Sequence, residues 1–438
     1  MGTNVMNMAA VNYGILALNV ITGVYTARVM GPSSKGVYYA VMSWTGVAGT
    51  LALLGFPSAL GWFYRQSPSR PLYQRLQRLT LASSLLLALL MAIPVVIVIR
   101  HVSSEAVWIA IVGMSLIPVT AEGTVAQMLL TLEGKFSLFN AVRIGQTSLF
   151  TLGVIVLGLF SALTPAHLLL DAYTTSTLPA VLFMAVAWHY LPKKTGTVPV
   201  VPTVKRIVTK AGQYFIPTLA STFNTRLDQM LNTIWLSASA IGLYGVALSS
   251  VNVGMVAMTA FSTVFFPSMV GTDRRVVMER TESSVRLLLL SSLIVSVLAI
   301  LITPVALPLL YGTRYNKAYG IIVALLLSVP LMTVVGVLYQ GFNALGRPIL
   351  TLPSESAGAI SGAGFLWLLT PHMGAIGAGL ADSLSYGLDA AVATWMWTRI
   401  GGSWKALVPR GQDAVRLASF GRHYLHSAVM RLRPHRQP

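Results

Sequence analysis

Apolar residues along the chain gather into runs of about 20 or more, long enough for a helix to cross ~30 Å of hydrocarbon. Short stretches rich in Pro, Gly, Lys and Arg separate them. The pattern predicts twelve spans, at 8–29, 37–63, 77–100, 105–131, 139–162, 166–190, 211–236, 241–269, 284–311, 318–343, 349–370 and 374–399. Residues 400–438 read as a basic tail. Pro57, Pro94, Pro179, Pro304 and Pro308 fall inside these runs and are expected to bend or break helices.

Composition agrees with a membrane location. Of 438 residues, 55% are hydrophobic and 10% charged, against roughly a quarter charged in soluble proteins. No removable signal peptide is expected at the N-terminus. Lys and Arg test the span count: 24 of the 30 fall after even-numbered spans or in the tail, and five after odd-numbered ones. That asymmetry places both termini on the cytoplasmic side of a cytoplasmic (inner) membrane. The net charge of +18 therefore reads as a topology signal and an attraction to anionic membrane lipids. No nucleic-acid motif accompanies it. Cysteine is absent, and His101, His167, His189 and His372 lack ligand spacing, so no metal site is expected. With no nucleophile–base pair and no cofactor motif, an enzyme is not expected either.

An internal repeat organises the chain. "NVITGVYTARVMGPSSKGVYYAV" (19–41) aligns with "TRLDQMLNTIWLSASAIGLYGVA" (225–247) at an offset of 206, placing Gly36 on Gly242 and Tyr38 on Tyr244. Further on, "GFPS" (55–58) matches "FFPS" (265–268), "EGK" (133–135) matches "LGR" (345–347), and "LTP" (163–165) matches "LTP" (369–371). Each half holds six spans, a parallel repeat of the transporter kind with its binding site between the halves. The expected divisions are 1–194, a six-helix bundle; 195–210, a linker; 211–399, a second bundle; and 400–438, the tail.

One charge escapes the loops. Arg226 lies within "STFNTRLDQMLNTIW" (221–235) of the seventh span, two residues from Asp228. At 100° per residue, Leu227, Met230, Leu231 and Ile234 share a narrow arc, while Ser221, Asn224, Arg226, Asp228 and Asn232 lie on a polar arc of about 200°. In a bilayer such a helix turns its polar side to water or to protein. Arg226 and Asp228 point some 160° apart, so each needs its own partner. Through the repeat, Thr218, Thr225, Asp228 and Asn232 fall on Asn12, Asn19, Thr22 and Thr26, also one face. Two such stripes facing each other would line a hydrated cavity. The alternative is polar helix–helix packing, against which a charge at bilayer depth costs at least ~2.5 kcal/mol.

Other charges inside spans are Glu122, Asp171, Glu355, Asp382 and Asp389, the last two seven apart on one face. Each is either a proton- or cation-coupling carboxylate or a structural partner. Arg28 and Arg65 stand at span ends, where snorkelling to the interface is the default. In the tail, Leu417, Phe420, Tyr424 and Leu432 form an apolar face that suits an in-plane helix on the anionic leaflet, or a solvated segment.

Three stretches carry a resemblance: "TARVMGPSSKGVYYAVMSWTGVAGTLALLGFPSAL" (26–60), "TRLDQMLNTIWLSASAIGLYGVAL" (225–248), and "YNKAYGIIVALLLSVPLMTVVGVLYQGFNALGRP" (315–348) with "MGAIGAGLADSLSY" (373–386). They resemble the polysaccharide branch of the MOP (multidrug/oligosaccharidyl-lipid/polysaccharide) exporter superfamily, over nearly the whole chain. The resemblance implies an all-α polytopic membrane protein, with twelve transmembrane helices in two six-helix bundles forming a V around a central cavity. It implies a flippase that moves undecaprenyl-diphosphate-linked oligosaccharide repeat units from the inner to the outer leaflet by alternating access. Arg226 would then hold the diphosphate, with Asn12, Asn19, Ser221, Asn224 and Asn232 on the sugars. Arg65 would capture the head group at the cytoplasmic mouth, and Arg28 would accompany release. Asp228, with Glu122, Asp382 and Asp389 as further candidates, would carry a coupling proton or sodium ion. A glycosyltransferase or polymerase is the partner implied. Three other readings stay open: a lipid II flippase, usually of fourteen spans with several cavity arginines; a cation-coupled drug exporter, which uses an acidic residue in the first helix; and a non-transporting scaffold for polysaccharide assembly.

Overall fold

The computed structural model describes residues 2–191, 201–254, 269 and 272–413, without the side chains of 2–10, 224 and 252–254. Its regular elements are helical: α1 Gly2–Ala52, α2 Phe56–Gln66, α3 Arg70–Val102, α4 Val107–Leu132, α5 Phe136–Leu159, α6 Pro165–Tyr190, α7 Val204–Trp235, α8 Ala238–Gly254, α9 Arg274–Tyr311, α10 Ala318–Leu326, α11 Ser328–Ala344 and α12 Leu352–Arg399. Among the described residues, eight helical segments are long and apolar enough to cross a membrane. The protein is an all-α, multi-pass membrane protein.

The described helices follow the expected spans, the eighth only as far as Gly254, through joins that the apolar runs do not reveal. Spans 1 and 2 share α1, whose helical path breaks at Gly31 (φ 76°, ψ 174°). That conformation suits a residue without a Cβ, and Pro32 follows it as a helix start does. Spans 11 and 12 likewise share α12, broken at Gly374. Span 2 itself is discontinuous: the helix stops at Ala52, passes through Leu54 and Gly55 at positive φ, and restarts at Phe56 with Pro57 in its first turn. Pro94, Pro179, Pro304 and Pro308 instead lie inside helices that continue through them, so of the five prolines only Pro57 marks a break. The repeat shows in the backbone too. Gly134 and Gly346, paired by the "EGK" and "LGR" match, both turn left-handed at φ 71° and 70°.

By contact the chain divides into two units. The first comprises Met1–Val246, Leu307–Ala318 and Thr370–Ala375; the second comprises Ala247–Ala306, Tyr319–Leu369 and Ile376–Pro438. In the first unit α7 packs against α1, α2 and α3. Its start is capped by Thr203, whose hydroxyl accepts from the Arg206 N–H, and is seated in a core of Phe56, Leu60, Phe63, Leu129 and Phe183 closed by Ile207 and Ala211. Close packing of α4 on α6 needs a bare backbone at Gly123, where a Cβ would stand 2.3 Å from that of Ala180.

In the second unit Val285, Val337, Phe342 and Trp397 join α9, α11 and α12. The start of the tail belongs to this core. Arg286 of α9 donates to the Ala406 carbonyl and to the Asp413 carboxylate (3.1 Å), and Leu407 is buried beside Trp397. The rest of the tail, 414–438, and residues 192–200, which include the first part of the expected linker, lie outside the described residues. So do residues 265–268 of the "FFPS" match.

Outward faces are apolar. Leu86, Leu89, Leu90, Ile93 and Ile97 of α3 and Leu301, Val305 and Leu309 of α9 are exposed. Such surface is stable against lipid, not water.

Candidate functional site

The first unit holds an open, largely apolar cavity of about 390 Å³, into which several helices bring polar groups: Asn19, Tyr38 and Thr45 of α1, Thr120 of α4, Gln146 and Thr147 of α5, and Tyr173 and Ser176 of α6. Beside it, a hydroxyl pair joins α1 to α5. Thr22 and Thr151 share a hydrogen bond of 2.9 Å, and Thr151 donates to the Thr147 carbonyl at 2.8 Å. Nearby, Asn12 accepts from the Arg143 guanidinium at 3.2 Å. Asn12 and Thr22 of the first span's polar stripe therefore meet α5. Asn19 faces the cavity instead, and Thr26 bonds the Thr22 carbonyl and accepts from Lys35.

On α7 the two charges meet different surroundings. Arg226 is exposed, and its Nη1 lies so near Gly46 that a Cβ there would stand 3.3 Å away. Gly46 lines the cavity, so the guanidinium lies against the backbone of the cavity's α1 wall. Asp228 is buried and accepts a 2.6 Å hydrogen bond from the Tyr244 hydroxyl of α8. One turn on, Asn232 is 1% exposed, and neither its amide oxygen nor its nitrogen has a partner among the described residues. Thr233, also buried, accepts from the Trp44 indole at 2.8 Å and ties α7 to α1. Ser221 is exposed; the Asn224 side chain lies outside the described residues.

The remaining candidates separate into partnered and unpartnered groups. Arg28 donates to the Leu309 carbonyl at 2.8 Å, near the α9 C-terminus, where a cation also meets the negative end of the helix dipole. Arg65 is exposed in the last turn of α2. Glu122 is buried in α4 with its Oε1 lacking a partner among the described residues, as does Oδ2 of Asp171 against Gly153. Asp389 is fully buried and accepts from Tyr339 at 3.1 Å, with Ser354 on the same hydroxyl; Asp382 is half-buried on the same helix. Among the described residues, no group of His, Cys, Asp and Glu could hold a metal ion.

A further cation escaped the sequence reading. Lys35 falls between the first two apolar runs, where a charge is expected to be solvated, yet it is 4% exposed. Its ammonium donates to the Thr26 hydroxyl and lies 4.9 and 5.2 Å from the ring centroids of Tyr38 and Tyr39. The signal was present: aromatic residues three and four positions after a lysine sit on its face of a helix.

Comparison with known proteins places this geometry. The model of the family described as "Polysaccharide biosynthesis protein" matches residues 1–272. No curated protein matches the sequence. Among solved structures, the chain resembles the lipid II flippase MurJ in an inward closed conformation (TM-score 0.70, 12% identity, 91% of this chain and 88% of that one). It also resembles an inward-facing multidrug resistance MATE family transporter of the MOP superfamily (0.65, 15%, 90% and 95%). A third neighbour is a MOP superfamily transporter from Pyrococcus furiosus (0.57, 13%, 92% and 94%). At these identities the likenesses establish the shared fold.

Proposed function

We propose that this chain, which belongs to the polysaccharide biosynthesis protein family and with it to the MOP superfamily, is a flippase for undecaprenyl-diphosphate-linked oligosaccharide repeat units. It moves them from the inner to the outer leaflet of the cytoplasmic membrane by alternating access, both termini being cytoplasmic.

The observation that carries this reading is Arg226: an exposed guanidinium on a span-length helix, against the wall of a cavity that carries several amide and hydroxyl side chains. A diphosphate offers paired oxygens that suit a planar guanidinium fork. Asn19 at the cavity and Ser221 on α7 supply hydrogen bonds for sugar hydroxyls; Asn12, Asn224 and Asn232 extend the same polar surface. Arg65 stands where a head group first meets the chain, while Arg28, bound to a helix end, steadies the outer end of α1. Asp228 and Glu122, both buried carboxyls, are the coupling candidates, taking up a proton or sodium ion in one half of the cycle. Asp382 and Asp389 are placed behind them, since Asp389 already serves Tyr339. The moving bodies of the proposal are the repeats, 1–194 and 211–399, and the assembly partner is a glycosyltransferase or polymerase.

Translocation of a fluorescent lipid-linked repeat unit in proteoliposomes tests the reading. Arg226→Ala is expected to cut the rate by about tenfold or more, as loss of a charged hydrogen bond of ~1.5–3 kcal/mol requires, without changing yield or melting temperature. A wild-type rate removes Arg226 from the mechanism. The likeness to MurJ makes lipid II the competing cargo. Running both lipids side by side decides between them.

A further inference from the structure

Spans 1 and 2 and the start of α8 meet in an unusually bare crossing. A Cβ on Gly36 would stand 1.6 Å from the Ala238 carbonyl oxygen, and one on Gly242 would stand 1.9 Å from that of Pro32. These are the same contact seen twice, because Gly36 pairs with Gly242 and Pro32 with Ala238 at the offset of 206. The crossing is thus locally two-fold, backbone on backbone, with no interlocked side chains at its centre. Glycine admits such an approach, and the nearest packed side chain is the Tyr39 ring one turn on, which lies over Gly245 of α8.

Lys35 precedes this crossing by one residue and is buried. A buried ammonium has three donors and a full charge to satisfy. Here it has one hydroxyl and two aromatic faces. Among the described residues the ion pairs within 4.0 Å are Arg275–Glu279 and Arg286–Asp413, so no carboxylate offsets it. Cation–π contact compensates a desolvated charge only in part. The cation is also joined to the cavity. Tyr38, against which it rests, is a lining residue. Its acceptor Thr26 in turn bonds the Thr22 carbonyl (2.7 Å), and the Thr22 hydroxyl meets Thr151 on α5, beside the cavity.

We propose that Lys35 is a second cationic contact for the diphosphate of the lipid-linked substrate, covered by the Gly36–Gly242 crossing in this conformation and reached when that crossing parts. The inference rests on the flippase reading and adds to it where the charge waits on the far side of the cycle. An anion arriving as the crossing opens supplies the missing counter-charge, so substrate stabilises the parted state more than the closed one.

Two measurements test it. In detergent, binding of farnesyl diphosphate to the full chain is expected to weaken by about tenfold in Lys35→Met, which keeps the apolar packing on the tyrosines, and to recover within about threefold in Lys35→Arg. Phosphatidylglycerol in the same micelles is expected not to compete. The chain has no cysteine, so Lys35→Cys provides a single thiol. An impermeant maleimide is expected to label it slowly, and at least about fivefold faster in a Gly36→Ala background, where the added methyl cannot coexist with the crossing. Binding by Lys35→Met equal to the parent, equal competition by phosphatidylglycerol, or labelling indifferent to Gly36→Ala each overturns the proposal. If Arg226→Ala abolishes binding while Lys35→Met does not, the flippase reading stands and this inference falls. Failure of the parent protein to bind farnesyl diphosphate overturns both.

Discussion

Arg226 and Asp228 stand two residues apart on α7 yet lie in opposite environments, one exposed beside the cavity wall and one buried on the Tyr244 hydroxyl. Their divergence was legible from helical geometry, because residues two apart point to nearly opposite sides. What each faces was not legible, since it depends on elements far away in sequence. The Asp228–Tyr244 bond carries a stability prediction. Tyr244→Phe leaves a buried carboxyl short of a donor and is expected to cost about 1–3 kcal/mol, read as a lower melting temperature in detergent. An unchanged melting temperature would mean that the bond contributes no stability. Lys35 teaches the converse lesson. A charge between two apolar runs reads as solvated; the tyrosines three and four positions on were legible, but the burial and the Thr26 acceptor come from the fold.

Among the helices, the sequence pattern located passes well and joins poorly. Gly31 and Gly374 connect spans with single-residue breaks, whereas a hydropathy pattern sees only a dip of uncertain width. Four of the five prolines lie in uninterrupted helices, because neighbouring residues and local adjustment re-satisfy the carbonyl that proline leaves without a donor. Helix pairing, by contrast, is set by where side chains are missing. At Gly123 the α4–α6 contact leaves no room for a Cβ, while around Gly145 nothing lies within 4 Å. Gly123→Val is therefore expected to abolish a detergent-stable monomer in size-exclusion chromatography, and Gly145→Val to preserve it. Equal behaviour of the two would remove the α4–α6 crossing as a determinant of folding. Nothing in the local sequence distinguishes these glycines, since the difference lies in what faces them.

For the whole molecule, the tail poses the sharpest question of role. Its expected start at residue 400 cuts through a packed region, for Leu407 and Asp413 are engaged by the α9 and α12 core. A truncation that removes residues 405–438 would strip Arg286 of two partners and confuse folding with function. Deletion of 414–438 avoids that. A flippase is expected to keep at least about half of its translocation rate, since lipid-surface attraction adds only ~1 kcal/mol per basic residue, whereas a recruiting scaffold would lose polysaccharide assembly altogether. Sequence alone determined that the chain is a helical, multi-pass membrane protein with an internal repeat, because the hydrocarbon core dictates the length and composition of every span. It also singled out α7, since a charge in such a span is costly enough to stand out. The tertiary structure alone decided that Asn12 and Thr22 of the first span meet α5, that Asp228 is buried while Arg226 is exposed, and that Lys35 is a buried cation. Those outcomes depend on which helix approaches which, and that is settled by the sum of many weak packing contacts that no local stretch of sequence contains.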